Sequence, residues 1–204
     1  MKHIIFLLTG LAMVSPTFAD ESEYKKVRDK VFWLKLYNQA YETFYCGKPK
    51  KAGDKVTLEH IYPTTWIAES LKCTSRKSCK HDKYREATSD LHNLWPAEKR
   101  YKISRQGLPF GVIPEKNPYF KNDSCNFERT LGKKAIVEPR DEIKGQVARS
   151  LLYMIHYYDL PHKDMLPLLI KWHTEYPPTL AEIERQDRIE AIQGRTNEFV
   201  KGNI

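Results

Sequence analysis

Four cysteines constrain the fold of this 204-residue chain more than any other feature of its sequence. They are Cys46, Cys73, Cys79 and Cys125. An even number of cysteines in an exported protein indicates two disulfides, which four cysteines can form in three pairings. The short separation of Cys73 and Cys79 favours a bridge around the basic segment TSRKS, with Cys46 paired to Cys125. A zinc site is the alternative, but the C-x-x-C or histidine spacings it calls for are absent.

The N-terminus supports the disulfide interpretation because it has the form of an export signal. Lys2 supplies a positive charge, an apolar run beginning IIFLL follows, and Thr17 and Ala19 are small residues at a cleavage site. Cleavage after Ala19 would remove residues 1–19 and release 20–204 as one domain into the periplasm or the medium. A membrane anchor is the weaker alternative, because the apolar run is shorter than the ~20 residues that span a bilayer.

Positive charge is concentrated in one segment of the exported chain. Residues 46–105 contain 14 lysines and arginines against 7 acids, whereas 20–45 hold five of each and 106–204 hold 14 of each. A local positive field favours a polyanion, and phosphate backbones are the commonest polyanionic partner. Lys77 and Arg100 are among the side chains expected to bind phosphates. The alternatives are a solvated basic face or affinity for an anionic envelope surface.

Hydrophobic periodicity predicts a mixed, α+β fold with a small sheet and several scaffold helices. Helical spacing predicts helices over 22–45, 141–158, 162–174 and 180–193. Thr179 and Glu182 form a capping-box pattern at the start of the last one. Strands are predicted within 55–63 and 134–140, each ended by a proline. The segment SDLHNLWP indicates a helix start or a turn, and residues 67–90 and 104–126 are predicted to be irregular.

Glu59 and His60 are adjacent near the end of the first predicted strand, inside the basic segment. Hydrolysis of a phosphodiester needs a base that activates water and positive charge that stabilises the crowded phosphate. Histidine suits the base because its ordinary pKa is nearest to neutral, and a carboxylate beside it can hold Mg²⁺. Arg76, between Cys73 and Cys79, could bind a phosphate through its planar guanidinium. Alone, a Glu-His pair is a weak signal, since most such pairs have no catalytic role.

Several stretches taken together resemble one family, the bacterial endonuclease I nucleases. The stretches are LEHIYPTTW, CTSRKSC, YREATSDLHNLWPA, CNFE, VEPRDEIKGQVARSLLYM and ERQDRIEAIQGRTNEFV. They occur in the family's order and cover nearly the whole mature chain. The resemblance implies a periplasmic or secreted, usually monomeric nuclease that cuts DNA, and in some members RNA, without sequence preference. It also implies a ββα-metal (His-Me) finger as the active site and Mg²⁺ or a similar divalent cation as cofactor.

The resemblance implies roles for individual residues as well. His60 corresponds to the general base and Glu59 to a metal ligand. Arg76 corresponds to an arginine that contacts the scissile phosphate. Arg105 is expected either to contact DNA or to support the structure.

The chain departs from the family at the second metal ligand. The family usually has an asparagine nine residues after the asparagine of HNL, and this position is Lys102 here. A charged lysine cannot ligate a metal. Three hypotheses remain open: Asn93 is a ligand, Glu59 holds the ion with water alone, or the Lys102 ammonium replaces the ion and binds the nucleic acid directly. A catalytically impaired relative that only binds nucleic acid is the alternative function.

Overall fold

The computed structural model describes residues 20–114 and 125–202. The predicted signal peptide and residues 115–124 of the predicted loop lie outside these ranges. Within them the helices are α1 (Asp20–Lys26), α2 (Thr64–Ser70), α3 (Asp82–Ser89), α4 (Lys99–Arg105), α5 (Lys144–Tyr158), α6 (Leu166–Glu175), α7 (Leu180–Gln193) and α8 (Glu198–Lys201). The strands are β1 (Tyr41–Glu42), β2 (Pro49–Lys50), β3 (Thr57–His60), β4 (Leu94–Ala97), β5 (Glu128–Arg129) and β6 (Val137–Glu138).

The predicted α+β class is confirmed, although the small sheet takes the form of separate ribbons in the described part of the chain. Consecutive strands pair antiparallel, β1 with β2, β3 with β4, and β5 with β6. The strand predicted within 134–140 is confirmed as β6, which spans Val137–Glu138. In these ranges, no helix combines the length and the apolar character needed to cross a membrane.

The N-terminal helix continues from α1 as a π-helical stretch, Val27–Leu36, and ends there. Its last turn closes where the N–H of Tyr37 donates to the carbonyl oxygen of Phe32 at 2.9 Å. The helix predicted over 22–45 is wrong beyond this point, because Tyr41 pairs with Lys50 in a short ribbon. Aromatic residues continue at helical spacing through this region, so the local pattern does not distinguish the ribbon from a longer helix.

A ββα unit carries the Glu-His pair, as the family resemblance implies. In the β3–β4 ribbon Glu59 lies opposite Trp95 and His60 lies opposite Leu94. Pro96 is tolerated in β4 because a two-stranded ribbon has only edge strands. Helix α4 follows β4 directly, so its side chains lie beside the end of β3.

Two short helices flank the Cys73–Cys79 loop, where the sequence predicted irregular structure. That prediction is wrong for the end of α2 and for α3. Trp66 and Ile67 of α2 and Ala87 of α3 are buried. Such short polar helices depend on tertiary packing more than on their own periodicity. Both favoured disulfides, Cys46–Cys125 and Cys73–Cys79, are present.

The C-terminal half forms the scaffold, with α5 at its centre. The three helices predicted here are confirmed as α5, α6 and α7; a 3-10 turn over Asp141–Ile143 leads directly into α5, and α6 starts four residues later than predicted. Helix α5 packs closely on α6, and its Gly145 is required because a Cβ there would collide with the carbonyl oxygen of Tyr176.

The start of α7 forms half of the predicted capping box. The hydroxyl of Thr179 accepts a hydrogen bond from the N–H of Glu182 at 3.2 Å. The Glu182 carboxylate does not return this contact, because it forms a buried bidentate pair with Arg149 of α5 at 2.6 and 2.7 Å. The side chain therefore joins two scaffold helices.

Candidate active site

His60 ends β3, and its ring is oriented by one backbone contact. Nε2 lies 2.9 Å from the carbonyl oxygen of Thr88, at the end of α3. Because a carbonyl oxygen only accepts, Nε2 carries the hydrogen and Nδ1 is left with a lone pair. Burial lowers the pKa of His60 to about 4, the Thr88 contact opposes this shift, and the nearby charges of Lys102, Arg105 and Arg76 add to it. His60 is therefore a neutral proton acceptor at pH 7.

Tyr24 of the N-terminal helix lies against the His60 ring. The two ring centroids are 5.4 Å apart, with planes inclined by 34°. Burial raises the pKa of Tyr24 to about 12, so its hydroxyl stays protonated at neutral pH. Sequence analysis placed Tyr24 only on the apolar face of a helix, because nothing local indicates a contact across 36 positions.

Glu59 precedes His60 and faces the opposite side of the strand, where it is buried at 4% exposure. Its Oε1 accepts hydrogen bonds from the Tyr45 hydroxyl at 3.0 Å and from Nη1 of Arg105 at 3.3 Å. Burial raises the pKa of Glu59, while the charges of Arg105 and Lys102 act in the opposite direction. Tyr45 was not identified as a site residue from the sequence.

Arg105 was expected either to contact DNA or to support the structure, and its contacts are those of structural support. It is 1% exposed, which prevents direct contact with DNA in this conformation. Nη1 donates to the carbonyl oxygen of His60 at 2.8 Å, and Nη2 donates to that of Ile61 at 2.6 Å. Its guanidinium also lies 4.8 Å from the ring centroid of Phe110. Arg105 thus holds the end of β3 in place.

Asn93 is fully buried, and both ends of its amide are engaged. Oδ1 accepts from the N–H of Tyr62 at 2.6 Å, and Nδ2 donates to the carbonyl oxygen of Tyr62 at 3.0 Å. These contacts fasten the chain after His60 to the turn before β4. The side chain orients the finger.

Lys102 extends from α4 towards the strand that carries the Glu-His pair. Its Nζ donates to the carbonyl oxygen of Leu58 at 2.5 Å. The ammonium is close enough to lower the pKa of both Glu59 and His60. Lys102 is only partly buried, so its side chain remains accessible to solvent.

Exposed basic residues flank His60. Arg76, in the loop closed by the Cys73–Cys79 bridge, lies with Nη1 3.5 Å from the Thr64 hydroxyl, and its charge reaches His60. Lys77 follows it and is exposed. Arg100, on α4, is also exposed, with its guanidinium 5.7 Å from the Tyr101 ring centroid. The disulfide loop therefore brings a cation near His60, and α4 carries the exposed Arg100 on the finger itself.

The family is decided by sequence comparison over almost the whole chain. The profile of the Endonuclease I family matches residues 15–203. The chain belongs to the endonuclease I family. It is therefore a nuclease, and His60 lies in a ββα unit of the kind that the family resemblance implies.

The relatives of this endonuclease I protein have low sequence identity to it, but two of them match it over almost its whole length. An extracellular deoxyribonuclease of Aeromonas hydrophila is 27% identical, covering 98% of this chain and 97% of its own length. A periplasmic deoxyribonuclease of the same organism is 28% identical, covering 96% of this chain and 93% of its own length. An extracellular ribonuclease of Bacillus amyloliquefaciens is 29% identical, but over only 55% of this chain and 43% of its own.

Endonuclease I nucleases generally depend on a divalent metal ion, and the residues of this chain fit one poorly because Lys102 occupies an expected ligand position. Mg²⁺ binds oxygen ligands in octahedral geometry, usually one or two carboxylates completed by water and substrate phosphates. Glu59 is a single carboxylate whose Oε1 accepts two hydrogen bonds, and the Asn93 amide is used within the finger. Lys102 brings a positive charge to the position where the family has a neutral ligand. Across residues 20–114 and 125–202, no three His, Cys, Asp or Glu side chains converge as a metal site.

Proposed function

We propose that this chain is a monomeric endonuclease that acts outside the cytoplasm and hydrolyses phosphodiester bonds of DNA without sequence preference, with RNA as a second substrate. The observation that carries this proposal is the orientation of His60. Its Nε2 is occupied by the carbonyl oxygen of Thr88, so its Nδ1 is available to take a proton from water. A general base of this kind is the central requirement for phosphodiester hydrolysis at neutral pH.

The surrounding residues suit the rest of this reaction. Water, deprotonated by His60, would attack the phosphorus atom from the side of Nδ1. Arg76 would hold a non-bridging phosphate oxygen through its guanidinium, which offers paired donors. Glu59, Tyr45 and Arg105 would keep the end of β3 from moving, because the hydrogen bonds among them and to the His60 carbonyl oxygen are buried.

The expected lack of sequence preference follows from the type of contact available. Arg76, Lys77 and Arg100 are exposed cations suited to phosphates. Contacts to phosphate position a protein on nucleic acid without reading base identity. The choice of DNA as the main substrate is supported by the deoxyribonuclease relatives, which match nearly the whole chain, whereas the ribonuclease relative matches about half of it.

Action outside the cytoplasm is supported by two independent features. The two relatives matched over nearly their full lengths are named extracellular and periplasmic deoxyribonucleases. The two disulfides are of the kind that persists in oxidising compartments.

The test is cleavage of supercoiled plasmid by the purified, oxidised protein, compared with His60→Ala. Loss of the general base should reduce the rate by about 10²–10⁴-fold. His156→Ala is the matched control, because His156 is exposed on α5, away from the finger, and its rate should equal that of the wild type. Single-stranded RNA in place of plasmid tests the second substrate.

An unchanged rate in His60→Ala would contradict the assignment of the base. Binding of DNA by the wild type without any cleavage would support the alternative function, a catalytically impaired relative that only binds nucleic acid.

A further inference from the structure

We propose that the ammonium group of Lys102 supplies the positive charge that a divalent metal ion would otherwise supply at the scissile phosphate. The inference rests on the proposed nuclease function and adds a catalytic residue to it. It would make this chain an endonuclease that cuts without a metal ion.

The first support is the position of Lys102 in the ββα unit. Two hydrogen bonds hold its backbone in α4. The N–H of Lys102 donates to the carbonyl oxygen of Glu98, and the carbonyl oxygen of Lys102 accepts from the N–H of Gln106, each at 3.1 Å. The side chain then reaches across to β3, where Nζ lies 2.5 Å from the carbonyl oxygen of Leu58. Leu58 directly precedes the Glu-His pair. The ammonium is thus held at the pair by a rigid helix on one side and a strand on the other.

The second support is that Lys102 has donors to spare. An ammonium carries three N–H donors, and the Leu58 carbonyl oxygen uses one of them. The side chain is only partly buried, in contrast to Glu59 and Arg105 on the inner side of the strand. A non-bridging phosphate oxygen that approached His60 from solvent could therefore accept a hydrogen bond from Lys102.

The third support is the balance of charge around Glu59. Its carboxylate faces two cations, Arg105 and Lys102, both of which act on its pKa. The negative charge of one carboxylate is already more than compensated. A divalent cation placed there would be repelled by both neighbours, and at short range in a poorly hydrated site this repulsion is strong. The local charge therefore favours an ammonium in place of an ion.

The proposed step balances without a metal. The water oxygen forms a bond to phosphorus, and its proton passes to Nδ1 of His60. The bond from phosphorus to the leaving sugar oxygen breaks, and that oxygen takes a proton from solvent. His60 then releases its proton to solvent. Lys102 remains an ammonium throughout and stabilises the added negative charge, as other fixed donors do at such transition states.

The decisive experiment is plasmid cleavage by the wild-type protein with excess EDTA and with Mg²⁺, combined with calorimetric titration of Mg²⁺ and Mn²⁺. Activity that is undiminished in EDTA, with no heat of metal binding, is the expected result. Lys102→Ala should lower the EDTA rate by about 100-fold, the effect of removing one fixed donor to the transition state. Lys102→Arg keeps the charge and should keep most of the chelator-resistant rate.

Lys102→Asn separates a catalytic role from a structural one. It replaces the ammonium with a neutral amide, so it should lose activity in EDTA and gain Mg²⁺-dependent activity and a measurable heat of Mg²⁺ binding. Lys99→Asn is the matched control on the same helix and should leave chelator resistance unchanged. Circular dichroism checks that each variant folds. The cleavage and calorimetry measurements on the wild-type protein test the inference even if a variant does not fold.

The outcomes distinguish the inference from the function on which it rests. Cleavage by the wild type only in the presence of Mg²⁺, with a heat of Mg²⁺ binding, overturns the role of Lys102 and leaves the nuclease proposal intact. A chelator-resistant rate that persists in Lys102→Ala also overturns it. No cleavage under any condition overturns the proposed function and the inference together.

Discussion

At the residue scale, we expect the Tyr24 ring to limit the access of substrate to His60. The tyrosine ring lies 5.4 Å from the histidine ring and covers one of its faces. We expect Tyr24→Ala to raise kcat/KM for plasmid cleavage, because removing the ring opens a path for phosphate to His60. Tyr24→Phe is the matched control, since it keeps the ring and removes only the hydroxyl, and its rate should match the wild type. A slower Tyr24→Ala variant with intact folding would instead show that the ring helps to bind the substrate.

His92 should make the folded protein sensitive to acid. It is 2% exposed, and burial lowers its pKa to about 4; Asp90 opposes this shift, and the charges of Arg185 and Arg195 add to it. In the unfolded chain, His92 binds a proton near pH 6.5, whereas in the folded protein it does so only near pH 4. The free energy of unfolding is therefore undiminished by His92 above pH 6.5 and decreases as the pH falls towards 4. The decrease in the free energy of unfolding attributable to His92 should be at most about 3 kcal/mol.

Urea unfolding at pH 7 and pH 4 tests this effect in the wild type and in His92→Gln. Glutamine does not titrate, and its amide can still donate to the Arg195 carbonyl oxygen that His92 contacts at 3.0 Å. The variant should lose less stability on acidification than the wild type. His60, whose pKa is lowered similarly, contributes equally to both proteins. Equal pH dependence in the two proteins would assign the effect to other groups.

At the element scale, the two disulfides should have different functions. The Cys46–Cys125 bridge joins residues 79 apart in sequence, and the Cys73–Cys79 bridge joins residues six apart. Loop-closure entropy gives about 4.5 kcal/mol for the longer loop and about 2 kcal/mol for the shorter one. The shorter bridge holds Arg76 beside the finger, so its removal should affect cleavage more than folding.

Paired serine substitutions test this difference. Replacing Cys73 and Cys79 should reduce plasmid cleavage strongly while lowering the free energy of unfolding by the smaller amount. Replacing Cys46 and Cys125 should lower that free energy by the larger amount. Unchanged cleavage by a folded protein without the Cys73–Cys79 bridge would reject the link between this loop and the active site.

The elements also show what the sequence could predict. Helices α5 to α7 were predicted because each repeats its apolar residues over several turns. Helices α2 and α3 were missed because they have seven and eight residues, mostly polar, and are held by packing. In the candidate site, Glu59 and His60 were identified from a local pair together with the family resemblance. Tyr24 and Thr88 were missed because their contacts with His60 span 36 and 28 positions and depend on the finished fold.

At the scale of the whole molecule, the segregated charge should set how the protein binds DNA. The basic segment 46–105 supplies the disulfide loop and α4, which both flank His60, whereas the C-terminal scaffold is electrically balanced. For a protein that binds through phosphate contacts, the logarithm of the binding constant falls linearly with the logarithm of salt concentration, with a slope of about −0.9 for each contact. The slope therefore counts the cations that reach the backbone.

We expect the combined substitution of Arg76, Lys77 and Arg100 by glutamine to make this slope shallower by about 2.7, since three phosphate contacts would be lost. The matched control replaces three exposed lysines of the balanced region, Lys133, Lys134 and Lys171, by glutamine and removes the same total charge. Its slope should stay close to that of the parent. Fluorescence anisotropy with two duplexes of unrelated sequence measures both proteins, each in a His60→Ala background that prevents cleavage. Equal slopes for the two triple variants would mean that net charge alone attracts DNA, whereas a slope that differed between the duplexes would contradict binding through phosphates.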